Sequence, residues 1–308
     1  MKALQKLAEQ HRDRFQIPVI GITGSNGKTV VKEWLHQLLS PERVITRSPR
    51  SYNSQIGVPL SVWQMNEQTE LAILEAGISE PGEMRALQNI IKPTIGILTN
   101  IGGAHQENFF SLQEKCMEKL ALFKDCDVVI YNGDDEFISN CVSKSIFSAR
   151  EIAWSRRDME RPLYINKVEK QENSPVISYR YLDMDNTFTL PFIDDASIEN
   201  SLNCLAACLY LMLPAGQITE RMAKLEPVAM RLEVKEGKNG CLLINDSYNS
   251  DLGSLDIALD FLYRRSQSKG LKRTLILSDI LETGQNTPTL YRQAAQLVTH
   301  RNQTYARP

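Results

Sequence analysis

The segment Gly21-Ile22-Thr23-Gly24-Ser25-Asn26-Gly27-Lys28-Thr29 carries the residue types that hold phosphate. It follows an apolar, β-branched run and opens an amphipathic helical pattern, the setting in which a phosphate-binding loop works. Its glycines fall at 21, 24 and 27, whereas the strict G-x-x-x-x-G-K-[ST] spacing would require glycine at position 22. The chemistry survives that departure. Glycines let backbone N–H groups approach phosphate oxygens, and a helix N-terminus favours an anion. Lys28 can reach the β- and γ-phosphates, and Thr29 offers a hydroxyl to Mg2+. The plainer alternative is a glycine turn beside a surface lysine.

Three more positions could do chemistry. Within Glu70–Gly77, strand alternation puts Leu71, Ile73 and Glu75 on one face, with Glu75 at the carboxyl end where open α/β sheets bind ligands. A carboxylate there calls for a cation, either Mg2+ carried on a nucleotide or a salt-bridge partner. The next strand pattern ends in Thr99-Asn100 and feeds Ile101-Gly102-Gly103-Ala104-His105, which puts His105 at the same edge as a ligand or as a structural loop residue. On a helical wheel over Ser111–Phe123, Leu112, Cys116, Leu120 and Phe123 fall within about 80° of one another, and Lys119 shares their stripe. A lysine on a core face either snorkels its head to the edge or is kept as a desolvated, reactive amine.

The elements that must position these residues follow the pattern of a parallel sheet covered by helices. Strands are expected at Ile17–Thr23, Arg43–Thr46, Leu71–Ala76, Thr94–Thr99 and Asp127–Tyr131, with helices at Lys28–Leu39, Gly82–Ile91 and Ser111–Phe123. Leu163–Val168, Val176–Tyr181 and Thr187–Leu190 alternate around turn-forming residues and read as an antiparallel meander. A helix over Ala196–Leu213 follows. A boundary is expected near Glu226-Pro227, before a fresh βαβ pattern of Cys241–Asn245, Ser254–Arg265 and Thr274–Leu277.

Composition narrows the function classes. Lys+Arg at 35 against Asp+Glu at 37 leaves no basic field for coating nucleic acid. The longest apolar stretch, Leu202–Leu213, is interrupted by Asn203 and falls short of the roughly 20 residues of a membrane span. Met1–Phe15 is charged and lacks the apolar run of a signal peptide, so a cytoplasmic location is expected. Cys116, Cys126, Cys141, Cys204, Cys208 and Cys241 form no C-x-x-C pair and are expected to be buried thiols.

Taken together the motifs resemble the Mur ligase family, and within it the branch that adds D-alanyl-D-alanine to UDP-N-acetylmuramoyl-tripeptide. Thr23–Thr29 is similar to the family's variant phosphate loop, and Tyr52-Asn53-Ser54-Gln55-Ile56-Gly57-Val58-Pro59 to its N-x-x-I-G-x-P segment. Leu74-Glu75-Ala76-Gly77 resembles the strand with a magnesium glutamate, Thr99-Asn100 through His105 the T-N…H stretch, and Glu118-Lys119 the site of a carbamylated lysine. Ser197-Ile198-Glu199-Asn200-Ser201 resembles an adenine-contacting N-x-x-N-A segment in which Ser197 replaces the first Asn. Ala229-Met230-Arg231-Leu232-Glu233 and Asn245-Asp246-Ser247-Tyr248-Asn249-Ser250 complete the series, and the D-S-Y-N form favours the D-alanyl-D-alanine branch.

The resemblance implies an α/β fold: a phosphate-loop central domain of mostly parallel sheet with flanking helices and a small antiparallel meander, then an incomplete Rossmann-like α/β domain. Residues 1–16 would form a helix or linker, 17–228 the central ATP-binding domain and 229–308 part of a C-terminal domain. Lys28, Lys119, His105 and Arg231 would serve catalysis. Gly24, Ser25, Asn26, Gly27, Lys28, Thr29, Asn100, Asn200 and Asp246 would bind ATP. Thr29, Glu75, His105 and Lys119 as its carbamate would hold Mg2+. The expected partners are UDP-N-acetylmuramoyl-tripeptide and D-alanyl-D-alanine, met by a monomer with no nucleic acid and no membrane span. Against the family's plan a UDP-binding domain is expected to be missing ahead of residue 17 and further elements beyond Gly284, so the chain alone is expected to ligate poorly. Fusion to an alanine racemase occurs in this branch, and no racemase pattern is visible here. A folylpolyglutamate-type ligase and a non-catalytic ATP-binding fragment remain the alternatives.

Overall fold

The computed structural model describes residues 1–102, 108–145, 147–171, 174–248, 251–267, 272–280 and 286–303. They fall into two compact units, the first made of residues 1–101 and 111–226 and the second of 102–110 and 227–308.

The first unit runs α1 (Lys2–Arg12), β1 (Val19–Thr23), α2 (Lys28–Leu39), β2 (Ile45–Arg47), α3 (Gly57–Val62), β3 (Leu71–Glu75), α4 (Glu83–Ile91) and β4 (Ile95–Leu98). It continues with α5 (Leu112–Leu120), β5 (Val128–Asn132), α6 (Glu136–Ser143), β6 (Arg150–Ser155), β7 (Leu163–Lys170), β8 (Pro175–Tyr181), β9 (Met184–Thr189), α7 (Asp195–Tyr210) and α8 (Ala215–Met222). All nine strands join one sheet in the order β2-β3-β1-β4-β5-β6-β7-β8-β9. Strands β2 to β7 pair in parallel, and β7-β8-β9 is the antiparallel meander, fused to the sheet edge rather than standing apart.

The residue pattern explains the two styles of strand. In β1, β3, β4 and most of β5 every side chain is buried, which continuous Val/Ile/Leu runs allow when helices cover both faces. In β8, Pro175, Ile177, Tyr179 and Tyr181 are buried and alternate with half-exposed residues, as in a sheet covered on one face. The chain passes from β3 on one side of β1 to β4 on the other, so the carboxyl ends of β1 and β4 border a topological switch point. The N-terminal helix is tied to this sheet through Arg12, whose buried guanidinium donates to the Ile91 carbonyl at 2.8 Å and the Lys92 carbonyl at 3.0 Å, capping α4.

The second unit contains the antiparallel pair β10 (Glu233–Glu236) and β11 (Leu242–Asn245), followed by α9 (Leu252–Gln267) and α10 (Thr287–Gln303). Leu255, Leu259, Ile280, Leu290 and Ala294 form its apolar centre.

Several local expectations change. Thr274–Leu277 forms no strand: Ile276 is 91% exposed, and apolar β-branched residues do not make a strand without a pairing partner. Strands β6 and β10 and helices α3 and α6 lie outside the expected elements, and β11 pairs antiparallel with β10 where a βαβ unit is expected. Leu112 lies at the exposed start of α5, outside the core stripe, and Lys115 is buried in its place. Cys241 is exposed, whereas the other five thiols are buried as expected. Among the described residues no helix is long and apolar enough to cross a membrane.

Candidate functional site

The turn between β1 and α2 is held open by glycine and closed by Asn100. Gly24 has φ +143° and Gly27, which caps α2, has φ +83°, both in the region that side chains disfavour. Space is as strict as conformation: a Cβ on Gly24 would collide with Thr99 Oγ1, and one on Gly27 with the Asn200 carboxamide. Asn100 then pins the loop from β4. Its carbonyl accepts from Ser25 N at 2.9 Å, its Oδ1 accepts from Asn26 N at 2.9 Å, and its Nδ2 donates to the Asn26 carbonyl at 3.3 Å. Thr99 Oγ1 donates to the same Asn26 carbonyl at 2.6 Å. The structure therefore gathers Gly24 to Thr29, Asn100 and Asn200 around one anion-sized turn at a helix N-terminus.

Two lysines converge on this turn. Lys28 Nζ donates to the Gly24 carbonyl at 2.8 Å and the Ser25 carbonyl at 2.9 Å. Lys119, buried on α5, donates to the same Gly24 carbonyl at 3.1 Å. Burial holds the Lys119 amine well below the ordinary lysine range, and the neighbouring charges of Lys28 and Lys115 push it further in that direction. The snorkelling alternative for Lys119 does not describe this geometry, because its head points into the site.

Glu75 sits at the end of β3, wholly enclosed. Its Oε2 accepts from Thr29 Oγ1 at 3.2 Å, and Thr29 Oγ1 also meets Ser51 Oγ at 2.9 Å. Its Oε1 lies 3.2 Å from Lys32 Nζ, within ion-pair reach but off the hydrogen-bonding direction, so it receives no hydrogen bond despite being buried. A buried carboxylate whose Oε2 meets the Thr29 hydroxyl, with the Ser51 hydroxyl beside it, is an all-oxygen donor set that fits a hard cation such as Mg2+.

The remaining expected residues fall elsewhere. His105 lies outside the described residues. Ser197 is in the first turn of α7, where its N–H is capped by Asp194 Oδ1 at 2.7 Å, and Asn200 one turn on faces Gly27. Arg231 and Asp246 belong to the second unit and come together there. The Arg231 guanidinium stacks 4.2 Å over the Tyr248 ring, and Asp246 Oδ1 accepts from Leu232 N at 3.2 Å. Burial raises the Asp246 carboxyl, opposed by that N–H and by Arg231.

Sequence reasoning missed Lys32, Ser48 and Ser51. For Lys32 a signal was available. It lies on the buried side of α2 with Thr29, Leu35 and Leu39, the same anomaly that singles out Lys119 on α5.

The Mur ligase middle domain family matches residues 22–208. The chain is 28% identical over 305 residues to the UDP-N-acetylmuramoyl-tripeptide--D-alanyl-D-alanine ligase of Bacillus subtilis, covering 97% of this chain and 64% of that protein. It is 31% identical over 264 residues to the protein of the same name from Borreliella burgdorferi, covering 82% and 54%. Among solved structures, MurF from Acinetobacter baumannii matches with a TM-score of 0.83 at 22% identity, over 96% of this chain and 63% of that one. MurF ligase from Thermotoga maritima in complex with ADP matches with a TM-score of 0.80 at 22% identity, over 96% and 68%. These structural likenesses establish the fold. The chain thus spans 54% to 64% of the length of these two curated relatives.

Proposed function

Because the chain belongs to the Mur ligase family, whose middle domain matches residues 22–208, we propose that it serves the ATP-dependent addition of D-alanyl-D-alanine to UDP-N-acetylmuramoyl-tripeptide in the cytoplasmic assembly of peptidoglycan precursors. The observation that carries this reading is the convergence of Lys28 and Lys119 on the Gly24 carbonyl, beside the Thr29–Glu75 pair. The names of the curated relatives supply the substrate pair.

The chemistry follows from these groups. The loop N–H groups and the α2 N-terminus bind the β- and γ-phosphates, and Lys28 exchanges the two loop carbonyls for phosphate oxygens. The terminal carboxylate of the tripeptide attacks the γ-phosphorus, breaking its bond to the β,γ-bridging oxygen and giving an acyl phosphate and ADP. The amine of D-alanyl-D-alanine then attacks the acyl carbon, and inorganic phosphate leaves with the bonding pair and takes up the proton that the amine nitrogen loses. Thr29, Glu75 and His105 would hold Mg2+, which neutralises charge as anions are brought together. Burial favours the neutral form of the Lys119 amine, the form that would add to carbon dioxide and lose a proton to become a carbamate, a further anionic oxygen donor. Arg231 would neutralise charge on the acyl phosphate, Asn200 would contact adenine, and Asp246 would accept from the ribose.

Calorimetry with Mg-ADP on the wild-type chain and on Lys28→Ala tests the reading. Loss of a charge-assisted phosphate contact should weaken binding by about 100-fold, equivalent to about 2.7 kcal/mol, with little change in Tm. Equal affinities would remove the phosphate-loop assignment. Phosphate release that depends on both UDP-linked tripeptide and D-alanyl-D-alanine, and not on glutamate as acceptor, would separate this branch from a folylpolyglutamate-type ligase.

A further inference from the structure

Lys32 stands one turn beyond Lys28 on α2 and is completely enclosed. Its ammonium donates to the Ser48 carbonyl at 2.7 Å and to the Arg50 carbonyl, and it lies 2.9 Å from Glu33 Oε1 and 3.2 Å from Glu75 Oε1. The two carbonyls belong to the turn that follows β2. Arg50 is held there at φ +48°, a conformation that costs a non-glycine residue energy and persists only where its surroundings impose it. The next residue, Ser51, presents its hydroxyl to Thr29. Ser48 Oγ accepts from Glu75 N at 3.1 Å, so the same turn fixes the backbone of Glu75.

The two oxygens of Glu75 are therefore not equivalent. Oε2 faces Thr29 Oγ1 and, at 3.5 Å, Asn53 Nδ2. Oε1 faces a fixed positive charge. A divalent ion arriving at the Thr29 side can coordinate Oε2 once the Thr29 hydroxyl turns its proton away, whereas reaching Oε1 would bring it against an ammonium held in place by the Ser48 and Arg50 carbonyls.

That asymmetry bears on which cation the carboxylate can serve. Ca2+ takes 6–8 oxygens at roughly 2.3–2.6 Å and commonly draws both oxygens of a carboxylate, whereas Mg2+ keeps an octahedron at roughly 2.0–2.1 Å and takes one. We infer that Lys32 is a specificity-determining residue: by pairing with Glu75 Oε1 it limits the carboxylate to the single donor Oε2 and so selects a small octahedral cation over a larger one. The inference rests on the phosphate-site reading above, and goes beyond it by assigning cation choice to a side chain that touches neither phosphate nor cation.

The test is ADP affinity by calorimetry in MgCl2, in CaCl2 and in EDTA, for the wild-type chain and Lys32→Met. The wild type should prefer Mg2+, and Lys32→Met should narrow the Mg2+-to-Ca2+ preference by about tenfold, the usual scale for losing a residue that orients a metal ligand. Affinity in EDTA should fall far less. If the uncompensated Glu75 prevents Lys32→Met from folding, Lys32→Gln keeps a donor for the Ser48 and Arg50 carbonyls, removes the charge, and is read in the same way. A preference unchanged within the error of the titration overturns the inference, as does an equal loss in all three conditions, which would make Lys32 a scaffold residue only. A wild-type chain whose ADP affinity ignores divalent ions overturns the phosphate-site reading as well, so the two failures can be told apart.

Discussion

In the first unit Val19, Ile20, Ile22, Leu35 and Ile73 reach 0% exposure, whereas among the described residues of the second the best covered, Leu290 and Ala294, stay at 3% and no side chain of β10 or β11 is buried. The difference lies in layers. A parallel sheet clad on both faces has apolar surface to spare, and it can enclose Lys32, Glu75 and Lys119 because burying a charge is tolerable only where partners can be fixed around it. The hairpin-and-two-helix unit has no such surplus, and its candidate residues Arg231 and Asp246 remain half-buried. Fixed polar geometry is thus concentrated where the hydrophobic cover is thickest.

The largest expected consequence is in hydrogen exchange. Amides of Ile20, Ile22 and Ile73 should exchange only through global opening, and those of Val234 and Ile244 at least about a thousandfold faster, a gap of about 4 kcal/mol. Similar protection in both units would break the contrast. Next in size is a matched pair of core truncations followed by urea unfolding. Leu35→Ala, in an enclosed site, should cost about 3–5 kcal/mol, and Leu259→Ala, 7% exposed in a small cluster, about 2 kcal/mol or less. Equal losses would mean that the second unit is packed as tightly as the first.

The smallest effect concerns pH and sharpens the contrast within the first unit. An unfolded lysine holds its proton up to about 10.5, while folded Lys119 has already released it at lower pH. Between the depressed folded value and 10.5 the unfolded chain binds more protons, so stability should rise with pH, by at most about 1.4 kcal/mol per unit for this one group. Below the folded value both states are protonated and the contribution is flat. In buffer free of carbon dioxide, Lys119→Met should lose that part of the slope. An unchanged slope would show that Lys119 is not the group that releases the proton.

The sequence made the phosphate loop, the strand ending in Glu75 and the buried position of Lys119 legible, because each rests on a local period or a fixed spacing. It concealed what depends on distant partners. Arg150–Ser155 opens with two exposed charged residues and becomes buried only from Ile152, so its alternation never emerges, yet pairing with β5 makes it a strand. Helix α6 is eight residues long, too short for a clear period, and is marked by the Asp135 cap that accepts from Ile138 N at 3.0 Å. Thr274–Leu277 has the opposite fault, a strong strand composition without a neighbour to pair with. Lys32 was readable as a lysine on a buried stripe, but its link to Glu75 required the register of β2 beside β3, which no local pattern encodes.

Strand β1 lies between β3 and β4, and the turn after it is closed by Asn100, 74 residues from Asn26. That arrangement has a kinetic meaning. Within residues 19–39 Lys28 braces the glycine turn through the Gly24 and Ser25 carbonyls, but the clasp on the Ser25 and Asn26 amides arrives from β4 only after the intervening segment has been ordered. Contacts so far apart in sequence carry a closure entropy before they return any energy, and they slow the search for the native topology. Helix α2 can flicker into existence early, but the anion cradle at its head is a late product of folding, assembled when the sheet closes around β1.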